Sequence, residues 1–448
     1  MGSGKHEREA YPQDRFYRLD NSAVFTAAIA GASGPFVFRL SCNLDESIRL
    51  DILTQALCRL SPRFPFLFVA LGHGVFWHYL NPLKKPLGPV AESPFPAEPI
   101  RYRRNRPLMR VSAFGTRIAC EFHHALTDGT GSMAFLRSLV LEYLRLRGVA
   151  GPAGTDNLAG IPRPGDAFDP EEAEDAYSRY FVRSSPLPDP VPKAFLIPGK
   201  RRGKGYRECI GTIPLQDAIA LARSSKVSLT ELLVAVHTAT LQDLYEALTP
   251  LRRKYARKRV SVQVPVDLRK RYPSRTLRNF FLFAAPSIDL RLGHWGFDEI
   301  LQRVHHQLRL GLEEKELLRQ LRRNVGGERN PFGRLILLPI KTVVMRLINV
   351  SIGVGSYSGS LSNLGAIEVP EPWSSRIVRF SFLPSRAVST GANVGVASWK
   401  NDLYISIGSL VCDRSFERLF FSRLAGMGLA VRIECNETLN ETLKGATE

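Results

Sequence analysis

A short stretch of the sequence, residues 121–129, carries side chains that could do acid–base chemistry. It reads Glu-Phe-His-His-Ala-Leu-Thr-Asp-Gly and overlaps a run typical of a β-strand, residues 117–124. Side chains alternate along a strand, so His124 shares the apolar side with Phe122, whereas His123 points to the other side. A neutral imidazole on an apolar surface can accept a proton near pH 7, which makes His124 a candidate general base.

Two elements must hold this stretch in place. Upstream, the pattern from Leu108 to His124 predicts a β-hairpin. Downstream, apolar residues from Met133 to Leu146 recur at helical spacing and predict a helix over residues 130–147. Gly129 would allow the sharp turn between them, and Asp128 would be either the helix N-cap or the partner of a buried cation. A core histidine followed by an ordinary Asp-Gly turn is the competing interpretation.

The remaining sequence predicts two α/β halves joined by an irregular connection. Residues 148–203 show little periodicity and are rich in Pro and Gly, which is typical of a linker or crossover. The second half opens with a strand from Tyr206 to Pro214, and Ser228 to Glu231 has the form of a helix capping box. We therefore expect residues 1–185 and 186–448 to form the two halves.

The charge of the chain is strongly positive. Its 448 residues carry a formal net charge of +19, with 44% hydrophobic and 23% charged residues, a globular composition. The basic residues form clusters along the chain: Arg101–Arg110, Lys200–Arg207, Arg252–Arg259, Arg269–Arg278 and Arg319–Arg329. No nucleic-acid-binding signature accompanies them, so we expect no nucleic-acid partner. A solvated basic surface is the simplest interpretation; a phosphate-bearing cofactor, an acidic protein or an anionic membrane are the alternatives.

The six cysteines lie far apart and form no Cys-x-x-Cys pair: Cys42, Cys58, Cys120, Cys209, Cys412 and Cys435. This spacing argues against a metal site and against a disulfide framework, and is typical of small buried residues in a reducing compartment. The N-terminal residues lack the apolar segment of a signal peptide. We therefore expect a cytoplasmic protein without a bound metal ion.

Residues 331–350 form the most hydrophobic window. Arg334, Lys341 and Arg346 interrupt it, so no run reaches the roughly 20 apolar residues that a membrane span requires. We interpret the window as a core helix. The alternative is a surface helix that meets a membrane or a long acyl chain, which would place the protein at the periphery of a membrane.

The pattern His123-His124-x-x-x-Asp128-Gly129 resembles the active-site motif of the chloramphenicol acetyltransferase-like acyltransferases. These include condensation domains, alcohol acetyltransferases, polyketide-associated acyltransferases and wax-ester acyltransferases. Val264–Arg269, with Asn279-Phe280 after it, and Leu361–Gly365 are similar to elements of the second half of that superfamily. The resemblance spans about residues 15–430 and is closest to the alcohol acetyltransferase branch, although the Asp-Phe-Gly-Trp-Gly motif of plant alcohol acyltransferases is absent.

The resemblance implies an α/β (α+β) fold of two acetyltransferase-like subdomains arranged in a V, with a substrate tunnel between them. His124 would be the catalytic base, supported by His123, Gly129 and Asp128, and Asp128 would pair with an arginine. Arg269 is the first candidate for that arginine and Arg278 the second.

The resemblance also implies the reaction partners. No permanently bound cofactor is expected, and the co-substrate would be acyl-CoA or an acyl-phosphopantetheine. The acceptor would be the hydroxyl group of an alcohol, sugar or lipid. Ser362 and Asn363 are candidates for contacts with the oxyanion or the acceptor, with ordinary turn polarity as the alternative.

Two other functions remain open from the sequence. The chain could use an acyl carrier protein in trans as its donor and form amides, as a condensation domain does. It could also be a non-catalytic homologue that binds a ligand in the tunnel. The presence of both His124 and Asp128 argues against the non-catalytic homologue. Among the two enzymes, an acyl-CoA-dependent O-acyltransferase is the preferred interpretation.

Overall fold

The structure, a computed structural model, describes residues 16–29, 36–93, 95–102, 105–151, 160–202, 205–327, 329, 333, 335–350, 354–386 and 390–436. The strands in these residues are β1 (Tyr17–Arg18), β2 (Val37–Leu44), β3 (Val69–His73), β4 (His78–Pro82), β5 (Val90–Ala91), β6 (Met109–Phe114), β7 (Arg117–His123), β8 (Arg207–Pro214), β9 (Arg259–Asp267), β10 (Phe281–Ala284), β11 (Ser287–Asp289), β12 (Gly359–Ala366), β13 (Ile377–Leu383), β14 (Ala392–Trp399), β15 (Asp402–Ser409) and β16 (Arg432–Cys435). The α-helices are α1 (Asn21–Ile29), α2 (Leu50–Leu60), α3 (Gly129–Leu146), α4 (Ala176–Arg179), α5 (Leu215–Ser224), α6 (Leu229–Glu246), α7 (Pro250–Tyr255), α8 (Phe297–Gly311), α9 (Glu314–Gly326), α10 (Leu338–Ile348) and α11 (Ser415–Gly426).

Two large sheets organise these elements into two α/β subdomains. The first sheet has the strand order β13-β2-β7-β6-β5, and the second has the order β10-β9-β12-β14-β15-β8-β16, with β11 pairing to β9. Strands β1, β4 and β3 form a separate small sheet. The two-subdomain α/β fold expected from the sequence is therefore confirmed.

Each large sheet buries one face against helices. In the first subdomain α2 and α3 pack together, and α3 covers β2 and β7, so Leu53, Phe122 and Phe135 are fully buried. In the second, α6 lies against β9 and β12 and is flanked by α8 and α11. The capping box predicted at Ser228 is present at the start of α6: Ser228 Oγ accepts from Glu231 N–H, and the Glu231 carboxylate accepts from Ser228 N–H.

Strand β13 connects the two subdomains topologically. It follows β12 of the second sheet in the chain, yet it pairs antiparallel with β2 of the first sheet, with Phe382 opposite Leu40 and Phe380 opposite Cys42. The division predicted between residues 185 and 186 stays a prediction. The sheet topology also shows that β13, which follows residue 186 in the chain, is part of the first sheet.

The interpretation of residues 331–350 as a core helix is wrong for the part of this window that the structure describes. Helix α10 has no buried residue. Pro331, Phe332 and Arg334 lie outside the described residues. Hydrophobicity alone did not distinguish a core helix from an exposed one. Among the described residues, no helix combines the length and apolarity that crossing a membrane requires.

The expectation that the cysteines form no disulfide is also wrong. Cys209 and Cys435 are joined by a disulfide, and they stand directly opposite each other on the antiparallel strands β8 and β16, with Cα atoms 4.2 Å apart. Cys42 and Cys120 are buried thiols, as expected, whereas Cys58 and Cys412 are exposed, so the expectation of buried cysteines is wrong for these two. The pairing depends on the register of two strands 226 residues apart in the chain, which cysteine spacing does not reveal.

Candidate active site

Residues 123–129 make the turn from β7 into α3, close to the predicted position. β7 ends at His123 and α3 begins at Gly129. Asp128 caps the helix: its Oδ1 accepts hydrogen bonds from Thr130 N–H (3.1 Å) and Gly131 N–H (3.2 Å). These bonds satisfy two of the backbone donors that a helix N-terminus leaves without partners.

The second carboxylate oxygen of Asp128 faces the other subdomain. Its Oδ2 accepts from the Arg269 guanidinium (2.9 Å) and from Phe280 N–H (2.9 Å). The ion pair proposed from the sequence, Asp128 with Arg269, is therefore present, and both alternatives considered for Asp128 hold at once. Arg269 also donates to Asp267 Oδ1 (2.8 Å) and to the carbonyl of Thr276 (2.7 Å). One carboxylate thus fixes the start of α3 against the segment between β9 and β10.

The start of α3 approaches the second subdomain too closely for side chains at some positions. A Cβ atom on Gly131 would lie 1.8 Å from the Leu277 carbonyl oxygen, which is a backbone atom. Thr127 Oγ1 donates to the same carbonyl (2.6 Å). A Cβ on Gly129 would meet Leu364 of β12 at 2.5 Å. Gly131 therefore permits a contact between the subdomains that no other residue type allows without movement.

His124 lies at this junction of the two subdomains. The residue is half-buried with its Nδ1 atom buried, and its ring stands between Phe38 of the first subdomain, with ring centroids 4.5 Å apart, and Phe281 of the second, 6.0 Å apart. The apolar surroundings disfavour the charged imidazolium, so burial lowers the pKa of His124 to about 4, although the Asp128 carboxylate acts in the opposite direction. The imidazole is therefore neutral at pH 7 and able to accept a proton.

Asn279 and Asp20 are further parts of the site that the sequence reasoning did not assign. Asn279 Nδ2 donates to the His124 carbonyl oxygen (2.8 Å) and to the carboxylate of Asp20 (3.1 Å). Asp20 also faces the Arg278 guanidinium at 3.3 Å. Burial raises the pKa of Asp20 to about 6, so this carboxylate is charged at pH 7 and accepts these bonds as an anion. Asn279 belongs to a segment that resembles the known acyltransferases, although no role was predicted for it. No sequence pattern around Asp20 indicated that Asp20 belongs to the site.

His123 has a role different from that of its neighbour. Its Nδ1 accepts a hydrogen bond from Ala125 N–H (3.0 Å), so in the neutral ring the proton is on Nε2, which lies 2.7 Å from the Tyr102 hydroxyl. Burial lowers the pKa of His123 to about 3, with a smaller contribution from His124. His123 is fully buried and makes two hydrogen bonds, which gives it a structural role in the turn. The alternation along β7 predicted that it points away from the face of His124, and the supporting role was implied by the resemblance.

Ser362 and Asn363 lie on opposite faces of β12. Asn363 Nδ2 donates to Thr230 Oγ1 at the start of α6 (3.0 Å), and its Oδ1 accepts from Gly365 N–H (2.8 Å). Ser362 lies on the opposite face of the strand, just before an irregularity in the pairing of β12 between Asn363 and Ala366. The structure thus gives Asn363 a structural role within the second subdomain, and the contact expected for Ser362 stays a prediction.

Two other histidine positions serve as comparisons. His237 is fully buried against Phe416 and Phe420 and is a core residue. The sequence has a second His-His pair, His305-His306 on α8, in which His306 is exposed, whereas His305 faces Glu231 at 3.1 Å. Among the described residues no group of three or more His, Cys, Asp or Glu side chains is arranged to hold a metal ion.

Parts of the basic clusters are used inside the protein. Arg269 and Arg278 pair with Asp128 and Asp20, and Arg207 is buried with Glu417 at 2.8 Å. These three side chains are therefore not available for an anionic ligand at the surface. The excess positive charge at the surface comes from the other basic residues.

Comparisons with known proteins give a relationship in structure and none in sequence. No protein-family model matches the chain, and no curated protein matches its sequence. The trichothecene 15-O-acetyltransferase TRI3 from Fusarium sporotrichioides superposes with a TM-score of 0.58 at 10% identity, covering 92% of this chain and 94% of that one. Polyketide synthase associated protein 5 from Mycobacterium tuberculosis gives a TM-score of 0.54 at 15% identity, covering 91% and 96%.

A third structure is the first condensation domain of the calcium-dependent antibiotic synthetase, with a TM-score of 0.52 at 14% identity over 94% of this chain and all of the other. At these identities the similarity concerns the fold. The chain has the two-subdomain fold of the chloramphenicol acetyltransferase-like acyltransferases and condensation domains, over nearly its whole length.

Proposed function

We propose that this protein is an acyltransferase that moves an acyl group from a CoA thioester to a hydroxyl group. The observation that carries the proposal is the environment of His124. Its imidazole is neutral, the residue is half-buried, and its ring lies at the junction of the two subdomains between Phe38 and Phe281. The fold shared with a trichothecene 15-O-acetyltransferase and with condensation domains supports the same class of chemistry.

The proposed reaction needs only groups present in this chain and its substrates. The neutral His124 ring takes the proton of the acceptor hydroxyl while the oxygen attacks the thioester carbonyl. The tetrahedral oxyanion is stabilised by a hydrogen-bond donor, for which the Ser362 hydroxyl is our candidate. Collapse breaks the carbon–sulfur bond. The thiolate, whose conjugate acid has a pKa of about 8.5, leaves and takes the proton back from the imidazolium.

Asp128 has no direct part in this reaction. Both of its oxygens are engaged by hydrogen bonds, to the α3 N-terminus and to Arg269 and Phe280. It sets the position of His124 relative to the second subdomain. Arg269, Asn279 and Gly131 contribute to the same positioning from the other side of the junction or at the helix start.

A CoA donor and a hydroxyl acceptor are the preferred substrates within this class. The net charge of +19 suits the phosphates of CoA. It also suits the acidic surface of an acyl carrier protein supplied in trans, which would make the reaction a condensation. The assay must therefore include both forms of pantetheine thioester and both hydroxyl and amine acceptors.

The test is thiol release measured with a thiol reagent. The donors are acyl-CoAs from acetyl to palmitoyl and acyl groups on a phosphopantetheinylated carrier protein, each with alcohol, sugar and amine acceptors. We expect turnover with acyl-CoA and a hydroxyl acceptor, lost in His124→Ala. His306→Ala is the matched control, since this exposed histidine of the second His-His pair has no role in the site. Turnover that survives in His124→Ala would refute the mechanism. Ligand binding without turnover for every donor would favour a non-catalytic homologue.

A further inference from the structure

Helix α10 has an apolar stripe that faces the solvent instead of a protein core. Its residues Ile340, Val343, Val344, Leu347 and Ile348 follow the i, i+3, i+4, i+7, i+8 spacing that normally faces a core. All five are exposed; Leu347, for example, is 64% exposed. The opposite side of the helix packs on α1. In the part of the chain that the structure describes, no element covers this stripe.

The stripe belongs to a larger apolar patch, which we define as Leu335–Leu337, the exposed stripe of α10, Val350, and the β3–β4 hairpin tip at Val75 and Phe76. The hairpin and the helix touch directly, because Leu338 N–H donates to the Val75 carbonyl oxygen (2.9 Å) and Lys341 Nζ donates to that of Phe76 (3.1 Å). Val75 is 63% exposed and Leu335 is 71% exposed. A continuous exposed apolar surface of this kind marks an interaction site rather than ordinary surface.

The segments that build the apolar patch carry basic side chains and no acidic ones. The chain has no Asp or Glu between Glu328 and Glu368, and none between Asp51 and Glu92, so both segments that build the patch are free of acidic side chains. Helix α1, which lies beneath α10, also has none. Arg346 is exposed on α10, and Lys341 is placed over the ring of Trp77, 3.4 Å from its centroid.

We propose that this apolar patch binds the surface of a membrane that contains anionic lipids. An amphipathic helix that exposes an apolar stripe beside basic side chains can lie in the interface plane, with the stripe in the acyl boundary and the cations at the headgroups. Trp77 of the β3–β4 hairpin loop and Lys341 of α10 suit the same position, since Trp and Lys side chains have an apolar body and a polar end.

The charge also decides between occupants. A second copy of this chain would bring another net charge of +19 and a second apolar patch with the same basic side chains to the interface, which like-charge repulsion disfavours. An acidic bilayer combines a negative surface with an apolar interior, so it satisfies both the basic side chains and the stripe. The exposed surface of α10 is therefore better suited to bind an anionic membrane than to bind a second copy of this chain.

The test uses the full chain and vesicles of phosphatidylcholine, alone or mixed with phosphatidylglycerol, in a sedimentation assay without acyl substrates. We expect the protein to sediment with the mixed vesicles and to be released from them by salt, because salt screens the attraction to anionic headgroups. Val343→Ser combined with Leu347→Ser should weaken the partitioning by on the order of tenfold or more, as two apolar side chains no longer enter the acyl boundary. Arg346→Gln should weaken it by about fivefold, and only on the anionic vesicles.

Leu251→Ser is the matched control. This leucine is 68% exposed and is followed by Arg252, Arg253 and Lys254 on α7, so it presents an apolar side chain next to basic ones at a different place on the protein. It should leave vesicle binding unchanged, and all variants should keep the thermal midpoint of wild type because the altered side chains are exposed.

Three results would overturn the proposal. The protein could stay in the supernatant with every vesicle at low salt, or the double variant could sediment as well as wild type. Sedimentation velocity could instead show a dimer that dissociates in the double variant, which would make a second copy the occupant. None of these results bears on the proposed acyl transfer, because no thioester is present in the assay.

Discussion

Asp128→Ala tests the structural role of the carboxylate that joins the subdomains. The substitution removes four hydrogen bonds at once: from Thr130 N–H, Gly131 N–H, Phe280 N–H and the Arg269 guanidinium. Loss of a helix N-cap costs about 1 kcal/mol. A buried Phe280 N–H without an acceptor adds about 1–3 kcal/mol.

We expect the free-energy cost of losing the Asp128–Arg269 ion pair to fall at the low end of the usual range for buried pairs. Removing one partner of a buried pair costs about 3–5 kcal/mol when the other charge is left alone. Arg269 is not left alone, because Asp267 Oδ1 at 2.8 Å and the carbonyl oxygens of Thr276 and Arg278 remain as acceptors. The contributions share one carboxylate and do not add, so we expect Asp128→Ala to lower the free energy of unfolding by about 3–4 kcal/mol.

The measurement is urea unfolding followed by far-UV circular dichroism, together with thiol release under conditions where the variant is folded. Asp267→Ala is the control, because it removes the second carboxylate that pairs with Arg269. The Asp267 side chain is 31% exposed, so its loss should cost about 1 kcal/mol or less. Arg269→Ala should cost less in the Asp128→Ala background than in wild type. A variant with the unfolding curve of wild type and no activity would refute the structural role and make Asp128 a direct participant in catalysis.

Three further predictions address the helix start, the base and the cysteines. Gly131→Ala should lower the free energy of unfolding by about 1–3 kcal/mol, measured in urea, because the new methyl group meets a backbone carbonyl; a stability equal to wild type would contradict this contact. Because burial lowers the pKa of His124 from its usual 6.5, the neutral base persists at lower pH, and the acidic limb of kcat/KM should lie below pH 6.5. The acidic limb of kcat/KM should also be measured in Asp20→Asn, since Asp20 titrates near pH 6. An acidic limb at or above pH 6.5 in both wild type and Asp20→Asn would refute the assignment of His124 as the general base. A thiol reagent should find four thiols in the denatured chain and six after reduction, and six before reduction would show that Cys209 and Cys435 are not joined.

The local parts of the site followed from the sequence. The run before His124 and the helical spacing after Gly131 placed β7 and α3 to within about a residue of their observed ends, because strand alternation and helical periodicity are short-range patterns. The pairing of Asp128 with Arg269 came from the resemblance to known acyltransferases. It joins residues 141 positions apart, which no local pattern could connect.

What the sequence did not provide depends on contacts between distant segments. Cys209 meets Cys435 only through the register of two strands. Asp20 enters the site through the hydrogen bond from Asn279, 259 positions further along the chain, and its own neighbourhood in the sequence shows no sign of this. The stripe of α10 has the spacing of a core helix, so its exposure could be learned only from what packs against it.

Strand β13 has a consequence for how the chain is made. In the folded chain β2 lies between β7 and β13, so we expect its second edge to lack a partner during synthesis until Ile377–Leu383 has left the ribosome. That edge presents unpaired backbone groups with apolar neighbours such as Phe38 and Leu40 on β2, a template for pairing with other chains. We therefore expect a fragment ending at residue 185 to aggregate when produced alone. Supplying residues 186–448 in the same cell should rescue it, because the missing strand then arrives from the second fragment.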